Sequence, residues 1–519
     1  MLSFREEYLY WRLAHLLIRE HGYRFLQLSK SQKEIWLENT EKNDSSFVRI
    51  HLHDLDWSNW MQRDIQLTLI NGESVRKQLR RRHAHVLNIY VTPYPPVDDY
   101  EFRLEKPLVH PKGGKTKVTT IICDRQSGAQ QLEELFSSSF DFNLQEDYEQ
   151  GEIEIEKKAF LLAVEEKIKS EKALLNNGKP IFTYLFIGIQ VLIFLLMEFA
   201  GGSTNTSVLI QFGAKVNWLI LHDGEWWRLF TPIVIHIGLL HLLMNTMALY
   251  YLGIMVEKIY GNLRFLFIYL FAGFTGALAS LLFSSSISAG ASGAIFGCFG
   301  ALLYFGLIYP KLFKRTMGFN IIILIAVNLI FGFSIPGIDN AGHIGGLIGG
   351  FLASAIVHFP NTKKFLYQIS AVVLSGFLVT GAIQFSFATP GKFVDEHSAL
   401  VLAQSYIEKE QFDAAYTILN EFNIENKETV NTLFLLSFSE IKMGKIQEAK
   451  THLYKVIQLK PDFHEAFYNL SIVYYNEENI SKAIEYASQA LSLQPSNQDY
   501  KSWLNEITSS DRESSALGA

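Results

Sequence analysis

The chain has 519 residues, with 46 basic and 52 acidic side chains, and its net charge of −6 excludes a generally basic nucleic-acid binder. Those charges are unevenly spread: the 208 residues from Pro180 to Phe387 hold only nine Lys/Arg and five Asp/Glu, a density expected of a polytopic membrane domain between two soluble ones. Two cysteines, Cys123 and Cys298, leave neither a disulfide framework nor a cysteine metal site.

Residues 1–178 read as a mixed α/β domain. The pattern predicts an amphipathic helix over 5–27, strands in KEIWLEN and FVRIHLH, and a helix around 57–82. Strands in HVLNIYVT and KVTTIIC follow, then helices near 128–138 and 156–176. On the strand FVRIHLH, His51 and His53 point to one face, and Asp54 and Asp56 follow at its end. Two imidazoles and two carboxylates this close could hold a manganese or zinc ion as a regulatory, non-catalytic ligand. A solvated strand end running into an Asp-capped helix at Leu55 or Asp56 fits the same residues.

Seven apolar runs come next, near 181–200, 236–256, 265–284, 292–309, 319–335, 342–358 and 365–387. Each is read as long enough to cross a hydrocarbon layer of about 30 Å. Six lysines from Lys157 to Lys179 precede the first run, and further basic residues follow the second, fourth and sixth. The opposite connections hold only Lys215 and Arg228. The positive-inside rule then places the N-terminal domain in the cytoplasm and, after seven crossings, the C-terminal domain outside a multi-pass cell-membrane protein.

Charged side chains are nearly absent from these runs, which disfavours a transporter with an acidic pathway. The polar residues that remain are clustered. The second run begins HIGLLHLLMN, with His241 and Asn245 four apart on one helix face. The fourth begins at GASG with Ser292, and the sixth at AGHIGG with His343. All three runs start on the same side, so these residues share a depth, and glycines beside Ser292 and His343 let their helices approach closely. Taken singly, each residue has a plainer reading as packing or as a satisfied polar group. Together, a hydroxyl, an imidazole and two further donors meet the needs of acyl transfer.

GASG at 290–293, HxxxN at 241–245, GHxxGxxxG at 342–350 and the pair Trp227-Arg228 resemble the rhomboid intramembrane serine proteases, in the family's order and over about 180–360. The resemblance implies Ser292 as nucleophile, His343 as general base, and His241 and Asn245 with the Ser292 N–H as oxyanion donors. It further implies that Trp227 and Arg228 stabilise the first long loop and that Gly290 keeps the site open. Phe296 stands where many members have Tyr; the ring under the histidine is kept and its hydroxyl lost. The implied reaction is hydrolysis of peptide bonds in or near the transmembrane helices of protein substrates in the lipid bilayer, with no cofactor for catalysis. The rival is an inactive rhomboid-like scaffold, but such chains lack the Ser or the His, and both are present here.

Beyond the seventh run, Leu436 and Leu470, Ala449 and Ala483, and Pro461 and Pro495 are each 34 apart, with Leu402 and Ala415 one period earlier. This resembles tetratricopeptide repeats, with a capping helix over 496–509. The resemblance implies a peptide or protein partner on the array, a mere spacer being the alternative. The expected architecture is a polytopic α-helical membrane protein with a six-helix rhomboid core plus a seventh helix, a soluble N-terminal α/β domain and an all-α repeat array. Its expected boundaries are 1–178, 179–360, 361–390 and 391–519.

Overall fold

The computed structural model describes residues 3–39, 46–79, 81–111, 114–126, 128–136, 144–335, 337–360, 362, 364–425 and 428–517. The chain divides into two compact units, 1–175 with 311–316, and 176–310 with 317–519.

The first unit opens with α1 (Phe4–Arg19), where Ser3 and Glu6 form a reciprocal capping box. The helix expected over 5–27 stops at Arg19. Gly22 takes φ +67°, a backbone conformation glycine adopts without steric cost, and turns the chain into β1 (Arg24–Leu28). After β2 (Glu34–Glu38) and β3 (Ser46–Leu52) come α2 (Ser58–Gln78), β4 (Ala84–Val91), β5 (Leu108–Val109) and β6 (Thr116–Cys123). Two helices close the unit, α3 (Gly128–Leu135) and α4 (Gln150–Leu174). The sheet order is β1-β2-β3-β4-β6-β5, with β3, β4 and β6 parallel.

Both faces of that sheet are covered, which is why β4 carries apolar residues on both sides. Ile89 and Val91 join α1 and α4 in one core, while Val86 and Tyr90 join α2 in the other. The expected Asp54/Asp56 cap of α2 is supplied instead by Asp98, whose oxygens accept from the Ser58 N–H and hydroxyl at 2.7 Å each.

In the second unit, α5 (Ile181–Phe199) is followed by a long connection carrying α6 (Thr206–Phe212), α7 (Asn217–Leu221) and two 3₁₀ turns. Then come α8 (Gly238–Tyr260), α9 (Asn262–Phe283), α10 (Ser292–Ile308), α12 (Gly318–Ser334), α13 (Asn340–Val357) and α14 (Phe365–Ala388), while α11 (Pro310–Thr316), between α10 and α12, belongs but for Pro310 to the first unit. Among the described residues, α5, α8, α9, α13 and α14 are each long and apolar enough to cross a membrane. Both α10 and α12 have 17 residues, about 26 Å at 1.5 Å per residue, which is the short end of the range for a membrane span.

Three helices form the centre of the unit: α9, α10 and α13. Their glycines are the cause. A Cβ on Gly346 would overlap the Gly293 carbonyl, one on Gly350 the Gly297 backbone, and one on Gly297 the Ala272 side chain. Without a hydrophobic drive between helices in lipid, such backbone-to-backbone packing is what holds them. By contrast α12 and α14 leave Ile322, Leu324, Ile330, Val372 and Phe377 exposed, as lipid-facing helices do. The buried Glu257 of α8 caps α5, accepting from the N–H groups of Ile181, Phe182 and Thr183 and from the Thr183 hydroxyl.

The repeat array follows as three helix pairs: α15 (Glu396–Ile407) with α16 (Phe412–Glu425), α17 (Val430–Lys442) with α18 (Ile446–Leu459), and α19 (His464–Asn476) with α20 (Ile480–Leu493). The capping helix α21 (Gln498–Leu517) runs longer than expected. The period-34 residues Leu402, Leu436 and Leu470, with Ala415, Ala449 and Ala483, are all buried. The first pair does not hang free: Val394, Leu402, Ile418 and Phe422 share an apolar core with Ile210, Val216, Trp218 and Leu219 of the α5–α8 connection.

Candidate active site

Ser292 is the first residue of α10 and His343 the fourth of α13. Glycine packing brings the two helix starts together, and His343 Nε2 lies 2.8 Å from Ser292 Oγ. The Phe296 ring, one turn into α10, stacks on the His343 ring at 4.3 Å and 9°. The stack fixes the imidazole plane with no hydroxyl needed. His343 Nδ1 is buried without a hydrogen-bond partner among the described residues.

His241 and Asn245 sit in the first turns of α8. His241 Nδ1 accepts from the Ile237 N–H at 3.4 Å, and Asn245 Nδ2 donates to the His241 carbonyl at 3.0 Å. Gly290 lies between His241 and Ser292 at φ +141°. A Cβ there would come within 2.7 Å of the His241 ring and 3.8 Å of Ser292 Oγ, so only glycine leaves that space open. His236 adds a hold on the same stretch: the Ala291 N–H reaches its Nε2 at 3.4 Å.

Trp227 and Arg228 lie in the α5–α8 connection. The buried Arg228 guanidinium donates to the carbonyls of Ile210 (2.8 Å) and Ala214 (3.0 Å), pairs with Glu225 and sits 4.4 Å from the Trp227 ring centroid. It therefore satisfies orphan carbonyls at the end of α6 and does not touch Ser292's partners.

By sequence position neither Glu198 nor Asp339 is assigned as a third member of the Ser–His pair, and Lys215 is only a loop charge; the structure gives Lys215 and Asp339 definite partners. Lys215 is fully buried, with Nζ 2.8 Å from the Ser284 carbonyl. Burial pushes its pKa down to about 8, against the pull of Asp339 and Asp395. Asp339 Oδ1 caps α13 by accepting from the Gly342 N–H at 2.9 Å, and Oδ2 accepts from the Ser288 hydroxyl at 2.7 Å. Its one signal in the sequence is its place four residues before His343.

The histidine pair of the first unit is arranged differently. His51 Nδ1 lies 2.9 Å from Arg49 Nη2 and 3.6 Å from Asp64 Oδ2, and His53 stacks on Trp60 at 3.7 Å. Arg49 also bonds Asp64, Glu34 and Asn88, and the Tyr90 hydroxyl donates to Asp64. Burial would raise the Asp64 carboxyl, but bonds from His51, Arg49 and Tyr90 outweigh it and hold it far below the usual range. Burial beside His51 lowers the His53 imidazole. Among the described residues no group of three or more His, Cys, Asp or Glu is placed to hold a metal ion. The manganese or zinc site expected at His51, His53, Asp54 and Asp56 is therefore not supported: the Arg49 guanidinium bonds His51, and the His53 ring stacks on Trp60.

Comparison with known proteins bears on the second unit most directly. A family model for the rhomboid domain matches residues 223–359. One for the anaphase-promoting complex, cyclosome, subunit 3 matches 392–456, and a tetratricopeptide repeat model matches 464–497. The chain is 42% identical over 473 residues to rhomboid protease GluP of Bacillus subtilis (strain 168), covering 90% of this chain and 92% of that protein. It is 41% identical over 153 residues to RHOMBOID-like protein 1 of Arabidopsis thaliana, covering 28% of this chain and 39% of that protein.

Proposed function

The chain belongs to the rhomboid protease family, multi-pass serine proteases of the membrane, and from that premise we propose that Ser292 and His343 are its catalytic pair. The observation that carries the reading is the 2.8 Å separation of Ser292 Oγ from His343 Nε2. That is hydrogen-bond reach for a nucleophile and its base. Ser292 Oγ attacks the peptide carbonyl of a substrate while Nε2 takes its proton. His343 then returns the proton to the leaving amine, and water releases the acyl group. The charge that develops on the carbonyl oxygen is met by His241, Asn245 and the Ser292 N–H. Asn245 must turn one amide hydrogen from its own helix toward that oxygen, or use its second. Among the described residues no carboxylate joins the pair: Asp339 is spent on the α13 cap and Ser288, so the stacked Phe296 ring does the orienting.

The substrates are membrane proteins cut in or beside a transmembrane helix. A helical peptide bond is hidden by its own hydrogen bonds, so local unwinding must precede attack, and Gly or Pro near the cut favours it. The basic residues orient residues 1–178 to the cytoplasm and the repeats to the outer side. The repeats present a surface for a peptide or protein partner on the side where Ser292 lies. Catalysis uses no cofactor, and no cation is assigned to the first unit, because His51 and His53 are engaged by Arg49 and Trp60.

The test is cleavage of a reporter transmembrane substrate by the full chain in proteoliposomes. Ser292→Ala and His343→Ala should each reduce it to background while insertion is unchanged. Cleavage retained in either variant would overturn the pair.

A further inference from the structure

The eight residues between α9 and α10 form no helix, yet they decide where Ser292 points. Besides the Ala291 N–H on His236, three holds fix them. At the start, Lys215 Nζ and Asn217 Nδ2 both donate to the Ser284 carbonyl, at 2.8 and 3.1 Å. In the middle, Ser288 and Lys215 exchange two backbone hydrogen bonds, at 2.8 and 3.1 Å. At the end, the Gly290 N–H reaches the Pro232 carbonyl at 2.9 Å.

The Ser288 side chain adds a link that the others lack, because it leads to the second helix of the site. Its hydroxyl donates to Asp339 Oδ2 at 2.7 Å, while Oδ1 of the same carboxylate accepts from the Gly342 N–H. The His343 N–H in turn reaches the Asp339 carbonyl at 3.1 Å. Ser288 precedes Ser292 by four residues, and Asp339 precedes His343 by four. The two pairs are thus stacked, the outer one holding the segments whose next turn supplies the inner one.

We infer that Asp339 is a positioning residue of the proposed cleavage reaction, one carboxylate that ties the backbone leading into Ser292 to the helix that carries His343. A capping role alone would need only Oδ1, so Oδ2 on Ser288 is the feature to explain. Lys215 supports the arrangement from the other side. An ammonium group is costly to bury, and this one is placed on carbonyls at the end of α9, where a helix favours positive charge. The inference rests on the Ser292–His343 reading.

Full-length protein in proteoliposomes, with the reporter substrate, tests it through kcat and KM together with melting temperature. Ser288→Ala removes one hydroxyl and should lower kcat roughly tenfold with KM within about twofold and melting unchanged. Asp339→Ala should lower kcat roughly 10–100-fold. Asp339→Asn still accepts from Gly342 and can donate to the Ser288 hydroxyl, so it should recover to within about threefold of wild type. Unchanged kcat in Ser288→Ala overturns the inference, as does a loss in Asp339→Ala that Asp339→Asn fails to rescue. If Asp339→Ala does not fold, Ser288→Ala decides alone. Cleavage surviving in Ser292→Ala would instead sink the site reading, whereas its loss there with normal Ser288→Ala kinetics sinks the positioning role only.

Discussion

Two histidine pairs in this chain differ in their spacing along the sequence and differ again in what surrounds them in space. His51 and His53 are two apart on a strand, flanked by acids, and His241 and His343 are 102 apart on separate helices. The compact cluster is the more eye-catching, yet its rings are spoken for by Arg49, Asp64 and Trp60. The dispersed one places an imidazole nitrogen against a serine hydroxyl, with the glycine at 290 keeping the neighbouring space open. Local density of metal-binding or catalytic residue types is therefore a poor guide here. What separates the clusters is the company each ring keeps in space.

The sharpest way to break that contrast is to remove one histidine from each. His343→Ala should cut cleavage by roughly 10⁴-fold, whereas His51→Ala should leave kcat within about twofold; comparable losses in both would erase the distinction. Next in size are the proposed oxyanion donors. His241→Ala or Asn245→Ala should lower kcat by roughly 10²–10³ with little change in KM, and a defect confined to folding would return both residues to a packing role.

In the first unit the expected effects are on stability. Arg49→Met leaves Asp64 buried without its cation and should cost about 3 kcal/mol, read as faster hydrogen–deuterium exchange across β3 and β4 in the intact protein. The pH dependence has a definite sign. The Asp64 carboxyl is held below its usual range in the folded state, so its stabilisation is present above about pH 4 and is lost as pH falls through the depressed folded value. Arg49→Met should flatten that acid limb, and an unchanged limb would show that Arg49 is not what holds the carboxylate charged. The smallest effect is His53→Ala, which removes the stack on Trp60 and should cost about 1 kcal/mol by the same exchange measurement.

Much of the architecture was legible because it is periodic. Apolar runs of about twenty residues, leucines and alanines 34 apart, and glycines four apart on a helix each follow from backbone geometry that any stretch of chain must obey. Where a local signal is ambiguous, distant pairing decides. The helix over 5–27 ran on through Gly22 because the apolar residues of β1 continue the pattern of α1, and only the pairing of Arg24 with Glu38 shows that they form a strand. The start of α2 was assigned to a neighbouring aspartate, since an N-cap is ordinarily local, but Asp98 reaches it from 40 residues away.

The sequence by itself determined the membrane block, the repeats, and the residue types gathered near Ser292, because hydropathy, period and motif spacing are properties of contiguous chain. Tertiary structure alone decided the rest. It buried Lys215 where charge counting had left it in a loop, and it gave Asp339 two partners, one of them 51 residues away. It also set the Arg49 guanidinium against His51. The physical reason is common to all three: the state of a polar group is set by the partners that replace its water, and packing, not sequence proximity, chooses those partners.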